Sequence, residues 1–240
     1  MTLEWLAVAT VIAAASFVMG LAGFGVALVA MAFLPFLMSP VTAVVLLTIY
    51  ATVFALAIFI PVRRDFVPAG VVDLLVGTVL GTPLGVWVLA TFPVAALNRL
   101  IGAVLVVVAV LEWVGVYPER LSGRWWALGA GLVAGIVGGA VGTPGPPAVL
   151  YATTQGWSPR TIKANLQAFF IVNQAVILAG YWWADLLTRE AWRLAVEFAG
   201  PAAVGVALGM LLFNYVDQRR FRRIVFGLIL FSGLALLVGG

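Results

Sequence analysis

Long apolar stretches run the length of this chain, separated by Gly/Pro breaks and a few short polar links. The first stretch, Glu4 to Met38, is too long for one membrane helix. At about 1.5 Å per residue it would reach about 52 Å, against a hydrocarbon core of about 30 Å. It is interrupted at Gly20-Leu-Ala-Gly23-Phe-Gly25, which predicts two short helices, about 4–21 and 25–38. Pro40 opens a helix to about Ile60, and Pro61 to Asp65 reads as a loop. The next helix, about 67–90, carries Gly77, Gly81 and Gly85 at four-residue spacing, a close-packing face. Pro93 ends it, and a helix over about 94–114 follows. Val116 to Gly123 (VYPERLSG) is the most polar link and reads as the boundary between halves. A second over-long run, Trp125 to Gln155, is broken over Gly138–Pro147. Helices are then predicted over about 159–183, 191–215 and 219–237.

The two halves match in order. Gly23-Phe-Gly25 aligns with Ala140-Val-Gly142, and Ser39-Pro40-x-Thr42 with Ser158-Pro159-x-Thr161. Gly81-x-x-x-Gly85 aligns with Gly205-x-x-x-Gly209, and at the same offset Asp73 meets Glu197 and Arg99 meets Arg223. The expected fold is therefore an all-α polytopic membrane protein with two repeats, 1–115 and 124–240, in one membrane domain. Each repeat has about five helical segments, the first two short and broken or re-entrant. An odd number of segments makes the repeats inverted. Charge agrees: that arrangement gathers Arg63, Arg64, Arg120, Arg124, Arg160, Lys163, Arg219, Arg220, Arg222 and Arg223 on one side, leaving Arg99, Arg189 and Arg193 opposite. Making each over-long run a single crossing divides the basic residues almost evenly. The positive-inside rule favours the first arrangement, with both termini outside an inner membrane.

Composition narrows the function. The chain is 64% hydrophobic and 9% charged, with mean hydropathy +1.17, far from a soluble domain. Alternating short strands, the mark of a β-barrel, are absent. Met1-Thr-Leu-Glu-Trp5 lacks the basic start of a cleavable signal, so the first segment is kept as a membrane helix. With no cysteine and no histidine there is no disulfide, thiol, haem or ordinary zinc chemistry. The pI near 10.0 comes from few basic residues at segment ends, which reads as loop charge rather than nucleic-acid binding. No phosphate loop and no nucleophile beside a base is present, so an enzyme is not expected, nor a cofactor.

Broken helices at matching places in two inverted halves point to a transport site. A helix that begins inside the membrane presents a partial positive charge, whose natural guest is an anion. The candidates are Gly142, Thr143 and Gly145 before the short helix starting near Ala148, and Gly23 and Gly25 in the first half. The alternative is that these glycines only permit tight packing. On the helix after Pro159, Lys163, Gln167 and Gln174 fall within about 40° of one another, beside a stripe with Asn165 and Asn173. Amides here either hydrogen-bond between helices or donate to oxyanion oxygens. Lys163, the single lysine, either faces the site or snorkels to the interface. Thr48 and Thr52 are the first-half counterparts, unless they bond their own helix backbone. Asp73 and Glu197, expected about two turns inside their helices, are proton-coupling candidates or partners of interfacial arginines. Trp125, Trp126, Trp182, Trp183 and Trp192 mark the aromatic belts.

At these residues the chain resembles the TauE/SafE family of sulfite-exporter-like permeases. The resemblance is carried by Gly20-x-x-Gly23-x-Gly25, by Gly142-Thr-Pro-Gly-Pro-Pro-Ala-Val-Leu-Tyr151, by Ser158-Pro159-Arg160 through Lys163-Ala-Asn165-Leu-Gln-Ala-Phe-Phe170, and by Arg222-Arg223-x-x-x-Gly227. It spans both halves and brings Tyr151 into the candidate site. The first copy departs from the pattern at Gly25-Val-Ala-Leu28, where the family often has a longer glycine run. The resemblance implies export of small sulfur-containing anions such as sulfite or organosulfonates. With the paired breaks, that predicts alternating access at a site near the membrane midplane. An anion channel and a non-transporting membrane subunit are the alternatives. The expected partners are the anionic substrate and the lipid bilayer, with a homo-oligomer left open.

Overall fold

The structure is a computed structural model describing residues 3–115, 121, 123–212, 215 and 218–239, with the backbone alone at 218–220 and 222. The boundary link Val116 to Gly123 falls mostly outside the described residues, as do Arg120 and the side chains of Arg219, Arg220 and Arg222. Among the described residues there are helices and no strands. They are α1 (Leu3–Ala22), α2 (Val26–Ala30), α3 (Pro40–Phe59), α4 (Val72–Thr91), α5 (Val94–Val114), α6 (Arg124–Val141), α7 (Gly145–Thr153), α8 (Pro159–Trp183), α9 (Arg189–Glu197), α10 (Ala199–Leu212) and α11 (Gln218–Gly239). Among the described residues, α1, α3, α4, α5, α6 and α8 are long and apolar enough to cross a membrane, and α9 with α10 makes a seventh, bent span.

Where the helices stop has local causes. The expected helix over 25–38 is α2 alone, five residues, followed by a turn and a 3-10 turn over Leu34–Phe36. Pro35 explains this, because its ring cannot pass the carbonyl of Met31 and it has no N–H to give. Pro201 acts likewise on Glu197: the helix expected over 191–215 is divided into α9 and α10, bent by 53°. The helix expected from Val67 starts at Val72, after a 3-10 turn over Pro68–Gly70. The expected loop 61–65 continues α3 as a 3-10 turn, Ile60–Asp65. The opening segments of the repeats are not short. With 20 and 18 residues, α1 and α6 are full-length, and only their followers α2 and α7 are abbreviated.

The helices form two compact units that mix the sequence halves. One unit holds α1, α2, α3 as far as Leu47, α5, α9, α10 and α11. The other holds α3 from Thr48, α4, α6, α7 and α8. Within the second unit α4 and α6 cross with their backbones in contact. A Cβ on Gly77, Gly81 or Gly85 would strike the carbonyl oxygens of Leu128, Leu132 or Ile136. Within the first unit α10 meets α1 in the same manner, with Gly205 against Ala13 O and Gly209 against Phe17 O. The matching glycine pairs of the two halves thus each pack on the opening helix of the other half. Apolar surface gives no driving force between helices in lipid, so this close dispersion contact is what holds each pair.

α6 and α7 form a helical hairpin. Gln155 Nε2, just past α7, donates to Leu121 O at 2.8 Å, just before α6. The two outer ends of the pair are therefore tied together. At nine residues, about 13.5 Å, α7 is far too short to cross.

Candidate functional site

The tip of this hairpin is built by three adjacent devices. Gly142 takes φ 73°, a left-handed conformation that ends α6, with its N–H on Gly138 O at 2.9 Å. Pro144, which opens α7, seats on Gly138: a Cβ there would lie 3.0 Å from Pro144 Cβ and 2.9 Å from Ile177 Cδ1 of α8. One turn beyond Ile177, the fully buried Tyr181 donates its hydroxyl to Gly139 O at 2.8 Å, satisfying a carbonyl that the end of α6 leaves unpaired. Thr48 of α3 in turn hydrogen-bonds the Tyr181 hydroxyl. The tip meets α8 at Ile177, about 9 Å past the helix midpoint at residue 171, and Gln174 lies between.

Unpartnered polar atoms lie in the two segments that make this contact, the α6–α7 turn and α8. Thr143 Oγ1, Asn173 Nδ2 and Gln174 Oε1 are buried and have no hydrogen-bond partner among the described residues. Leaving such a group unpaired in an apolar interior costs about 1–3 kcal/mol each. The backbone contribution is smaller than a helix start normally offers. Of the positions whose N–H groups open α7, Pro144, Pro146 and Pro147 have none, and Gly145 alone keeps its donor. The terminus retains its dipole, but side chains must supply most of the hydrogen bonds.

The remaining candidates separate into different roles. Gln167 is buried on the same face of α8 as Gln174, and Lys163 is half-buried one turn before it. Asn165 is buried too, but on the other side of the helix, where it is a clamp: its Oδ1 accepts from Val67 N–H at 2.9 Å and its Nδ2 has no partner. Asn173 shows the same division, its Oδ1 accepting from the Thr78 hydroxyl. Thr52 bonds its own helix, donating to Thr48 O at 2.8 Å. Tyr151 is buried near the end of α7, its ring edge-on to Trp157 at 6.3 Å.

Gly23 and Gly25 belong to the other unit. Both have positive φ, and Gly23 N–H closes α1 on Met19 O at 2.7 Å. Gly25 borders a cavity of ≈ 330 Å³ whose lining is glycine and apolar side chains, including Leu21, Phe24, Phe221 and Ile229. With only five residues in α2, this break lacks both the dipole and the polar lining of its counterpart. Asp73 lies in the first turn of α4, not two turns inside, and pairs with Arg124 Nε at 3.1 Å. Glu197 is exposed at the α9–α10 bend.

Sequence reasoning missed Thr78 and Tyr181. Thr78 had a legible signal, since Thr78 and Thr82 are polar residues interleaved with the packing glycines of α4. Tyr181 carried no signal of its own, standing next to the belt residues Trp182 and Trp183.

One end of this unit is basic. The Asp73–Arg124 pair joins the starts of α4 and α6, and Trp157 and Asn165 meet Gly70 at the start of α8. Arg63, Arg64 and Arg160 are exposed there, with Lys163 one turn inward. The family model described as sulfite exporter TauE/SafE matches the chain over residues 8–236. The chain belongs to the TauE/SafE family. It is thus a multi-pass membrane protein of a family of sulfite-exporter-like transporters. No curated protein and no solved structure gives a significant match.

Proposed function

We propose that this TauE/SafE protein is a secondary transporter exporting a small sulfur oxyanion, sulfite or an organosulfonate, across the inner membrane by alternating access. The observation that carries the reading is the tip of the α6–α7 hairpin. A helix start with a positive dipole directly follows buried Thr143, and α8, which meets the tip at Ile177, carries buried Asn173 with its Nδ2 donor unpartnered among the described residues. Intramembrane polar groups are costly and are retained where they meet a polar guest. Glycine at 142 and 145 lets that guest approach the backbone. The dipole selects negative charge, and Lys163 and the basic end add to the same sign. By the positive-inside rule the basic end is cytoplasmic, which puts both termini outside. In this reading the substrate contacts come from Gly142, Thr143, Gly145, Gln167, Asn173 and Gln174, with Lys163 at the entrance. The apolar surroundings of Gly25 argue for a site provided mainly by the second half.

The test is uptake into proteoliposomes with sulfite, sulfoacetate, taurine and sulfate, with and without a pH gradient. Saturable flux accelerated by substrate on the opposite side is expected. Flux without that acceleration means a channel, and no flux with any anion removes the transport reading. Lys163→Ala and Gln174→Ala are each expected to lower flux at least tenfold, and normal flux in both would refute the assigned site.

A further inference from the structure

We propose that the apolar cavity beside Gly25 holds an acyl chain of an anionic phospholipid, whose headgroup phosphate is taken by Arg223 at the start of α11. The proposal stands apart from the transport reading. The cavity, ≈ 330 Å³, lies within one unit, between the end of α1, α2 and the first turns of α11. Its lining includes Leu21, Phe24, Leu28, Phe221 and Phe226 and contains no polar side chain. Ala22, which also lines it, is exposed, so the cavity opens at the protein surface. An apolar void of this kind does not hold water. Left empty, its walls forfeit dispersion contacts. In a bilayer the apolar filler at hand is a lipid chain.

Charge selects the lipid. Gly20 of α1 abuts α10, where a Cβ on it would strike Val206 O and lie 2.9 Å from Met210 N. The end of α1 is thus level with the end of α10 at Leu212, and α11 starts soon after at Gln218. That start is basic in sequence: Arg219, Arg220, Arg222 and Arg223 stand against one carboxylate, Asp217. The positive-inside rule puts it at the cytoplasmic face, where anionic headgroups are abundant. The lining from Phe221 to Ile229 runs about 12 Å along α11 over an arc of about 140°. Arg223 is exposed and lies about 60° beyond the Phe226 edge of that arc. Helical side chains lean toward the N-terminus and arginine snorkels, so its guanidinium reaches the membrane surface while its stem flanks the cavity. A chain in the cavity gains no hydrophobic energy over one in the bilayer, because lipid tails are as apolar as leucine. Preference therefore comes from the phosphate, which a guanidinium binds with charge-assisted hydrogen bonds. The lining that makes Gly25 a poor anion site is the one a lipid tail requires.

The experiment is native mass spectrometry of the full chain in detergent, with phosphatidylglycerol and phosphatidylcholine of identical acyl chains supplied in equal amounts. The wild-type protein is expected to retain phosphatidylglycerol at least about fivefold over phosphatidylcholine, the worth of one arginine near an anionic surface. Arg223→Gln should lower that preference about fivefold, and Arg193→Gln, an exposed arginine on α9, should leave it unchanged. Ala22→Trp, which plugs the cavity, should lose both lipids alike. Val29→Phe fills the same space from α2 and should do the same if Ala22→Trp fails to fold. Glycerol 3-phosphate, the headgroup anion without its chains, should not displace the lipid. Equal retention of the two lipids by the wild-type protein would overturn the proposal. So would an equal loss of preference in Arg193→Gln, which would mean charge without a site. Wild-type retention in the cavity-filling variants would overturn the acyl-chain assignment, and displacement by glycerol 3-phosphate would replace the lipid by a soluble anion.

Discussion

Replacing Tyr181 by Phe isolates the contact that holds the hairpin tip. The substitution removes one oxygen atom from a residue with 0% exposure and leaves the ring in place. Gly139 O then loses its 2.8 Å donor, and at the end of α6 the helix supplies no replacement N–H. Two magnitudes compete. Hydrogen bonds between membrane helices average only about 0.6 kcal/mol, with a maximum near 1.7, because the unfolded chain in the bilayer also finds partners. A buried acceptor left unpaired costs about 1–3 kcal/mol. Gly139 is buried against α4, where Val86 N and Gly85 C would approach its Cβ to 3.0 and 3.1 Å, leaving no room for a substitute donor. The expected loss is therefore at the upper end of the membrane range, about 1.5 kcal/mol, or about a twelvefold shift in the unfolding equilibrium. The assay is reversible unfolding in mixed micelles, alongside flux in proteoliposomes. Flux should fall more than stability alone explains, because the tip is released from α8. A stability change under about 0.3 kcal/mol together with unaltered flux would refute the claim that Tyr181 seats the tip.

Gly135→Leu should abolish folding, because its side chain would enter the α4 backbone, an overpacking cost of about 3 kcal/mol or more. Gly129→Leu on the same helix, with nothing within 4 Å, should be tolerated, and membrane insertion yields of the two compare them directly. Asp73→Asn should change stability by less than about 0.5 kcal/mol, since Arg124 and Asp73 side chains are 71% and 33% exposed. Its flux should keep the wild-type dependence on a pH gradient, and a changed dependence would return Asp73 to a coupling role. Pro201→Ala should straighten the 53° α9–α10 bend, read as a longer distance between spin labels placed on α9 and α10.

The sequence by itself determined the helical membrane class, the ends of α5 and α8, the two Gly/Pro breaks and the glycine faces. Each of these follows from local chemistry: apolar run length, a missing proline N–H, or a glycine lacking a Cβ. Ser158 illustrates it, capping α8 by accepting from Thr161 N–H as its spacing from Pro159 implies. Even the missed stops at Pro35 and Pro201 are local, lying four residues beyond the carbonyls they displace. What tertiary structure alone decided is which surfaces meet. Period and composition showed that the glycine stripes of α4 and α10 pack closely, but not that each takes the opening helix of the opposite half. On a helical wheel Asn165 and Asn173 share one stripe, yet Asn165 clamps a loop through Val67 while Asn173 bonds Thr78 of α4. The two breaks, alike as glycine patterns, came apart on their surroundings, apolar at Gly25 and polar at Thr143. A polar side chain's role depends on whether its donors and acceptors are already occupied, and that is set by residues distant in the chain, such as Val67 for Asn165 and Thr78 for Asn173.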